Sequence, residues 1–66
     1  MSVLKVIEVL SNSNVSWEDA TKKAITKASK TLKNIKSAYV KEHSVSVDNG
    51  NVTEFRVTLK LTFELE

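Results

Sequence analysis

Hydrophobic and polar positions alternate almost without error over the last fifteen residues, Val52 to Glu66. Thr53, Phe55, Val57, Leu59, Leu61, Phe63 and Leu65 fall on one side, and Val52, Glu54, Arg56, Thr58, Lys60, Thr62 and Glu64 on the other. Successive side chains of a strand point to opposite faces, so the pattern predicts one long strand with an apolar and a polar face. At about 3.3 Å per residue it spans roughly 50 Å, about twice what one short helix covers. So much apolar edge in a small chain is the first sign that the protein does not work alone.

Upstream, Val3–Leu10 is rich in β-branched residues and reads as a first strand. Val3, Ile7 and Val9 share a face with Lys5, while Leu4, Val6 and Leu10 share the other with Glu8. Both faces are mostly apolar, as in strands covered on both sides. Ser11-Asn12-Ser13-Asn14 reads as a loop. Ser16 is an N-cap with Glu18 and Asp19 in the first turn, and S-x-x-D is a capping-box variant. The helix is expected from Trp17 to about Lys33. Its apolar stripe is Ala20, Ala24, Ala28 and Leu32, flanked by Trp17, Ile25 and Ile35. Trp17 reads as a hydrophobic anchor at the helix start, with a ligand-stacking platform as the sharper alternative.

Residues Lys36–Val47 read as a second strand, and Asn49-Gly50 is a strong hairpin signal. A two-residue turn there pairs Asp48 with Asn51. Val40 then faces Leu59, Ala38 faces Leu61, Glu42 faces Val57 and Ser44 faces Phe55. On the opposite face Tyr39 meets Lys60, His43 meets Arg56 and Val45 meets Glu54. A one-residue bulge would shift this register. The expected fold is α+β: β-α-β-β, a three-stranded antiparallel sheet of order 1-3-2 with the long strand central. The helix lies on its Phe55/Val57/Leu59/Leu61 face. The outer face carries Val45, Val47, Val52 and Tyr39 among charges, which suggests a subunit contact.

Sixty-six residues make a single domain, 1–66. A chain this short has a marginal core and usually needs a disulfide, a metal or a partner. It has no Cys and one His, which excludes disulfides, thiolate metal sites and a multi-histidine site within one chain. Oligomerisation is the expected staple, with an unusually well-packed monomer as the alternative. The net charge is only +2. Lys22, Lys23, Lys27, Lys30 and Lys33 are a solvated helix face, because Arg occurs once and no aromatics interleave with them, which argues against nucleic acid. Nothing has signal-peptide form or approaches a membrane span, so a cytoplasmic address is expected and no membrane partner.

Taken together, Lys5-Val6-Ile7-Glu8-Val9, Ser16-Trp17-Glu18-Asp19-Ala20, Val40-Lys41-Glu42 and the run Phe55–Glu66 resemble the dodecins over essentially the whole chain. Each stretch is weakly specific, but their order and spacing are much more so. The resemblance implies a hollow homododecamer of cubic symmetry that stores or sequesters flavin (FMN or riboflavin) at subunit interfaces. Flavin-binding dodecins stack the ring on a Trp whose position matches Ser37, and hydrogen-bond its polar edge with a Gln whose position matches Arg56. This chain therefore lacks both the stacking ring and the amide. Stacking is worth about 1–3 kcal/mol per ring in nucleobase analogues, so its loss from paired sites weakens flavin binding by orders of magnitude. Tyr39, two residues on and on the same face, is the residue that could supply a ring instead. Glu42 completes the cofactor-binding set implied by family position. Ser37 and Arg56 lie six steps apart, roughly 20 Å, so any pocket needs more than one chain.

The alternative is a flavin-free cage with a structural or calcium-binding role. Calcium wants several oxygen ligands, whereas Glu8, Glu42, Asp48, Glu54, Glu64 and Glu66 are spread singly, so such a site would span subunits. Catalysis is not expected: acid–base chemistry needs titratable groups in a shared pocket, and one histidine with isolated carboxylates offers none.

Overall fold

The computed structural model describes residues 3–65. In chain order the elements are β1 (Val3–Ser13), α1 (Trp17–Ala28), β2 (Ile35–Asp48) and β3 (Asn51–Leu65). They form one sheet of order β1-β3-β2, antiparallel throughout, with the helix on one side. This is the expected architecture. β3, the longest strand, is central and pairs along both edges. Val57, Leu59 and Leu61 are the largest fully buried side chains, and Ala20 is fully buried against them. Ile7 and Val9 pack around that core with Ala24, Ile25 and Ala28, so the Ile7/Val9 face of β1 is the inner one. The alanines let the helix backbone approach the sheet.

Ser16 is extended (φ −170°), and its Oγ accepts the Asp19 N–H at 2.9 Å, capping the helix. The capping box is modified. The Asp19 carboxylate accepts the Ser13 hydroxyl at 2.6 Å, and Ser13 Oγ in turn accepts the N–H groups of Val15 and Ser16. The Ser11 hydroxyl donates to the Ala20 carbonyl at 2.7 Å. These side chains carry β1 on through Ser13, past the loop expected to begin at Ser11. The helix ends at Ala28, five residues short of Lys33. Ser29 N–H reaches the Ile25 carbonyl, while Thr31 and Leu32 N–H both reach that of Ala28. Hydroxyl side chains are poor helix formers, and Asn34 (φ 63°) turns the chain into β2. Ile35 is thereby withdrawn from the helix and placed opposite Phe63.

Asn49 and Gly50 both have positive φ (53° and 78°), the geometry of a tight primed hairpin turn. The pairs Asp48–Asn51, Val40–Leu59, Ala38–Leu61 and Tyr39–Lys60 are as expected. Between them the register shifts: Glu42 faces Thr58, His43 faces Val57, Ser44 faces Arg56 and Val45 faces Phe55. An extra residue at Lys41 in β2 starts the shift, and one at Thr53 in β3 cancels it. A bulge moves every later side chain to the other face. His43 and Val45 therefore leave the outer face expected for them and join the helix side. The apolar part of the outer face is instead Leu4, Val6 and Leu10 of β1, with Tyr39 of β2.

The helix packs on β1 and β3 and leaves β2 largely bare; Val40 and Val45 on its helix side are 43% and 39% exposed. In total the chain exposes 4957 Å², against about 4,200 Å² for a compact monomer of its mass.

The Leu59→Ala variant is expected to lose about 2–5 kcal/mol, because the small core cannot collapse around the cavity. Urea midpoints at fixed protein concentration measure this. Hydrogen bonds from Ser13 and then Lys23 hold the Asp19 carboxyl below its ordinary 3.8. A carboxyl lowered by folding stabilises above its unfolded pKa, and that contribution fades as pH falls through the folded value. Asp19→Asn should therefore cost stability at neutral pH, and the difference from wild type should shrink below about pH 4. A difference that stays constant into acid would refute this role of Asp19.

Candidate functional site

The outer sheet face is built in rows set by β3. Thr62 lies between Val6 and Ser37, Lys60 between Glu8 and Tyr39, Thr58 between Leu10 and Glu42, and Arg56 between Asn12 and Ser44. All four residues expected at the site, Ser37, Tyr39, Glu42 and Arg56, thus lie on one face. They do not converge. Ser37 and Arg56 sit six residues apart along β3, roughly 20 Å, and the two project from a sheet with nothing of the same chain over them.

Arg56 is held sideways: its Nε donates to Asn12 Oδ1 at 2.8 Å. That contact orients the guanidinium across the face toward β1. Lys41, the bulge residue, reaches back over β3 to Glu8, with Nζ 3.4 Å from Oε2. The bulge therefore puts two successive side chains, Lys41 and Glu42, on the outer face. Lys36, a second irregular position, pairs with Glu64 at 3.7 Å. These exposed pairs contribute little stability, but they set an alternating charge pattern on an otherwise oily surface. Tyr39 is 65% exposed and is the aromatic ring on this face. Asn12 and the Lys41–Glu8 contact escaped the sequence reading. Asn12 sits in a run whose composition says loop, and the reach of Lys41 depends on a bulge that alternation cannot reveal.

The second aromatic centre is on the helix side. The Trp17 ring meets His43 edge-on at 4.7 Å and Phe55 at 5.3 Å, and its Nε1 donates to the Ser44 carbonyl at 3.0 Å. With its polar handle and ring edges engaged, Trp17 ties the helix start to β2 and is the anchor reading of this residue. It also explains where His43 went: the expected pairing with Arg56 fails because the Lys41 bulge turns the imidazole under the indole.

Within one chain the residues do not fit a flavin: no ring stands at Ser37, and Arg56 is too far from it to serve the same molecule. Nor do they fit a calcium ion, since among the described residues no three His, Cys, Asp or Glu side chains gather. Glu66 lies outside the described residues. Among those residues, no helix is long and apolar enough to cross a membrane. What the face offers is one ring, a positioned cation and spaced carboxylates.

Comparison with known proteins puts this geometry in context. Residues 3–66 match the family model Dodecin. Calcium dodecin from Mycobacterium tuberculosis is 34% identical over 65 residues, covering 98% of this chain and 92% of that protein. The structure of dodecin from Streptomyces coelicolor superposes with a TM-score of 0.94 at 32% identity, covering 98% of this chain and 93% of the other. The crystal structure of the Mycobacterium tuberculosis calcium dodecin, described as a calcium-chelating antigen with a novel calcium-binding site, gives a TM-score of 0.85 at 33% identity, covering 98% and 93%.

Proposed function

The chain belongs to the dodecin family, and from that premise we propose a cytoplasmic, non-catalytic binding and storage protein that works as a homododecamer. Its ligand sits where identical copies meet. The observation that carries the reading is the uncovered outer face. Leu4, Val6, Leu10 and Tyr39 are all more than half exposed there, beside the residues whose family positions match a flavin site. A second copy would shield the apolar part and supply the missing wall. Flavin (FMN or riboflavin) is the family ligand, with Tyr39 as the ring, Arg56 and Glu42 as polar groups and Ser37 as the vacated stacking position. The affinity for flavin is low, because Ser37 offers no π face.

A second reading follows from the calcium-chelating relative. Glu8, Glu42 and Glu64 stand singly along this face, and symmetry brings copies of a lone carboxylate together on an axis. In that assembly calcium is the bound species and flavin is not.

Riboflavin fluorescence quenching separates the two. Ser37→Trp combined with Arg56→Gln should tighten flavin binding by about tenfold to a hundredfold per restored ring. Equal, negligible quenching by wild type and variant would remove the flavin reading. Under the calcium reading, a chelator should lower the wild-type melting temperature and added calcium should restore it, in line with mass action on the folded state. No shift in either direction would remove that reading.

A further inference from the structure

β1 ends at Ser13, opposite Phe55, but β2 and β3 go on pairing to Asp48–Asn51. The last residues before and after the turn therefore form a two-stranded ribbon that projects beyond the sheet. Such a ribbon is marginal in water by itself. It carries a directly paired Val47 and Val52, 61% and 52% exposed, flanked by Asp48 and Glu54. Neither carboxylate has an ion pair among the described residues.

At the opposite edge of the sheet, an open groove of about 790 Å³ runs between α1 and β1. Val9, Leu10 and Ala24 line it with apolar surface, and Lys22, Lys27 and Lys30 add positive charge. Among the described residues those three lysines are without an ion pair; Lys23 beside them is satisfied by Asp19 at 3.2 Å. The hairpin of the same chain cannot fill this groove, because it belongs to the other strands and leads away past the end of β1.

We propose that the acidic, valine-bearing hairpin tip of one copy docks into the lysine-rimmed α1–β1 groove of the next. This rests on the homo-oligomeric reading above and names the surfaces that join. Apolar surface meets apolar surface, and the two unpaired carboxylates meet unpaired ammonium groups, the arrangement that sets register and partner choice. The two patches differ, so the contact is head-to-tail and closes into a ring when the rotation between copies permits.

Charge reversal on each side tests this by sedimentation velocity, with Trp17 emission and far-ultraviolet circular dichroism confirming folding. Asp48, Lys27 and Lys30 are exposed, Glu54 is half-buried, and none of the four belongs to the core, so the substitutions leave it untouched. Asp48→Lys with Glu54→Lys should raise the dissociation midpoint at least tenfold in protein concentration, and Lys27→Glu with Lys30→Glu should do the same. Combining all four in one chain should restore assembly, since every tip then meets a complementary groove. Wild-type mass retained by either one-sided variant overturns the docking pair while leaving assembly itself standing. Failure of the fourfold variant to recover also overturns it. A wild-type chain that sediments as a 7.4 kDa particle overturns the assembly reading and the docking pair with it.

Discussion

One helix of 12 residues is too short for the sheet it must cover. At about 1.5 Å per residue it is roughly 18 Å long, whereas the chain extends 51 Å along its principal axis. Burial is therefore confined to the middle of β3, where Val57, Leu59 and Leu61 meet Ala20. Everything beyond that patch stays uncovered: the ribbon at the hairpin, the helix side of β2 and the whole outer face. The radius of gyration, 13.5 Å, exceeds the roughly 11 Å of a compact domain of this length. No disulfide or thiolate site offsets the deficit, since the chain has no cysteine. The apolar surface left over is the physical basis of the assembly proposed above.

Paired irregularities at Lys41 and Thr53 decide what that leftover surface looks like. Between them β2 is rotated by one residue against β3, and the rotation does two things at once. It brings His43 beneath Trp17, so the helix start is tied to β2 as well as to β1. It also places Lys41 and Glu42 together on the outer face, where Lys41 engages Glu8 on the far strand. The anchor and the polar decoration of the candidate site thus have a common origin in one extra residue.

Much of this was legible in the residues. The alternation of β3, the Asn49-Gly50 turn and the Ser16 cap gave the element order and the sheet order. The family motifs named Ser37, Tyr39, Glu42 and Arg56, but the register read from the hairpin set Glu42 on the helix side opposite Val57, and the extra residue at Lys41 moves it to the outer face with the other three. The misses are of one kind. Ser11 and Ser13 look like loop residues until the helix supplies partners for their hydroxyls. The stripe through Leu32 extends the helix on paper, but Ser29 and Thr31 close it early. His43 and Val45 were assigned to the wrong face because a bulge leaves no mark in composition.

Local chemistry and periodicity are properties of neighbouring residues, so the chain by itself determined the order and type of the elements, how the hairpin turns and which side of β3 is buried. It also determined that no stacking ring stands at Ser37. Which residues share a face across strands depends on the balance of pairing and packing over distant segments. Tertiary structure alone decided the register beyond Lys41, the tie between Arg56 and Asn12, and the choice of Leu4, Val6 and Leu10 as the surface left outside. A single inserted residue costs little locally yet inverts every side chain that follows it, and only the folded sheet can show where it sits.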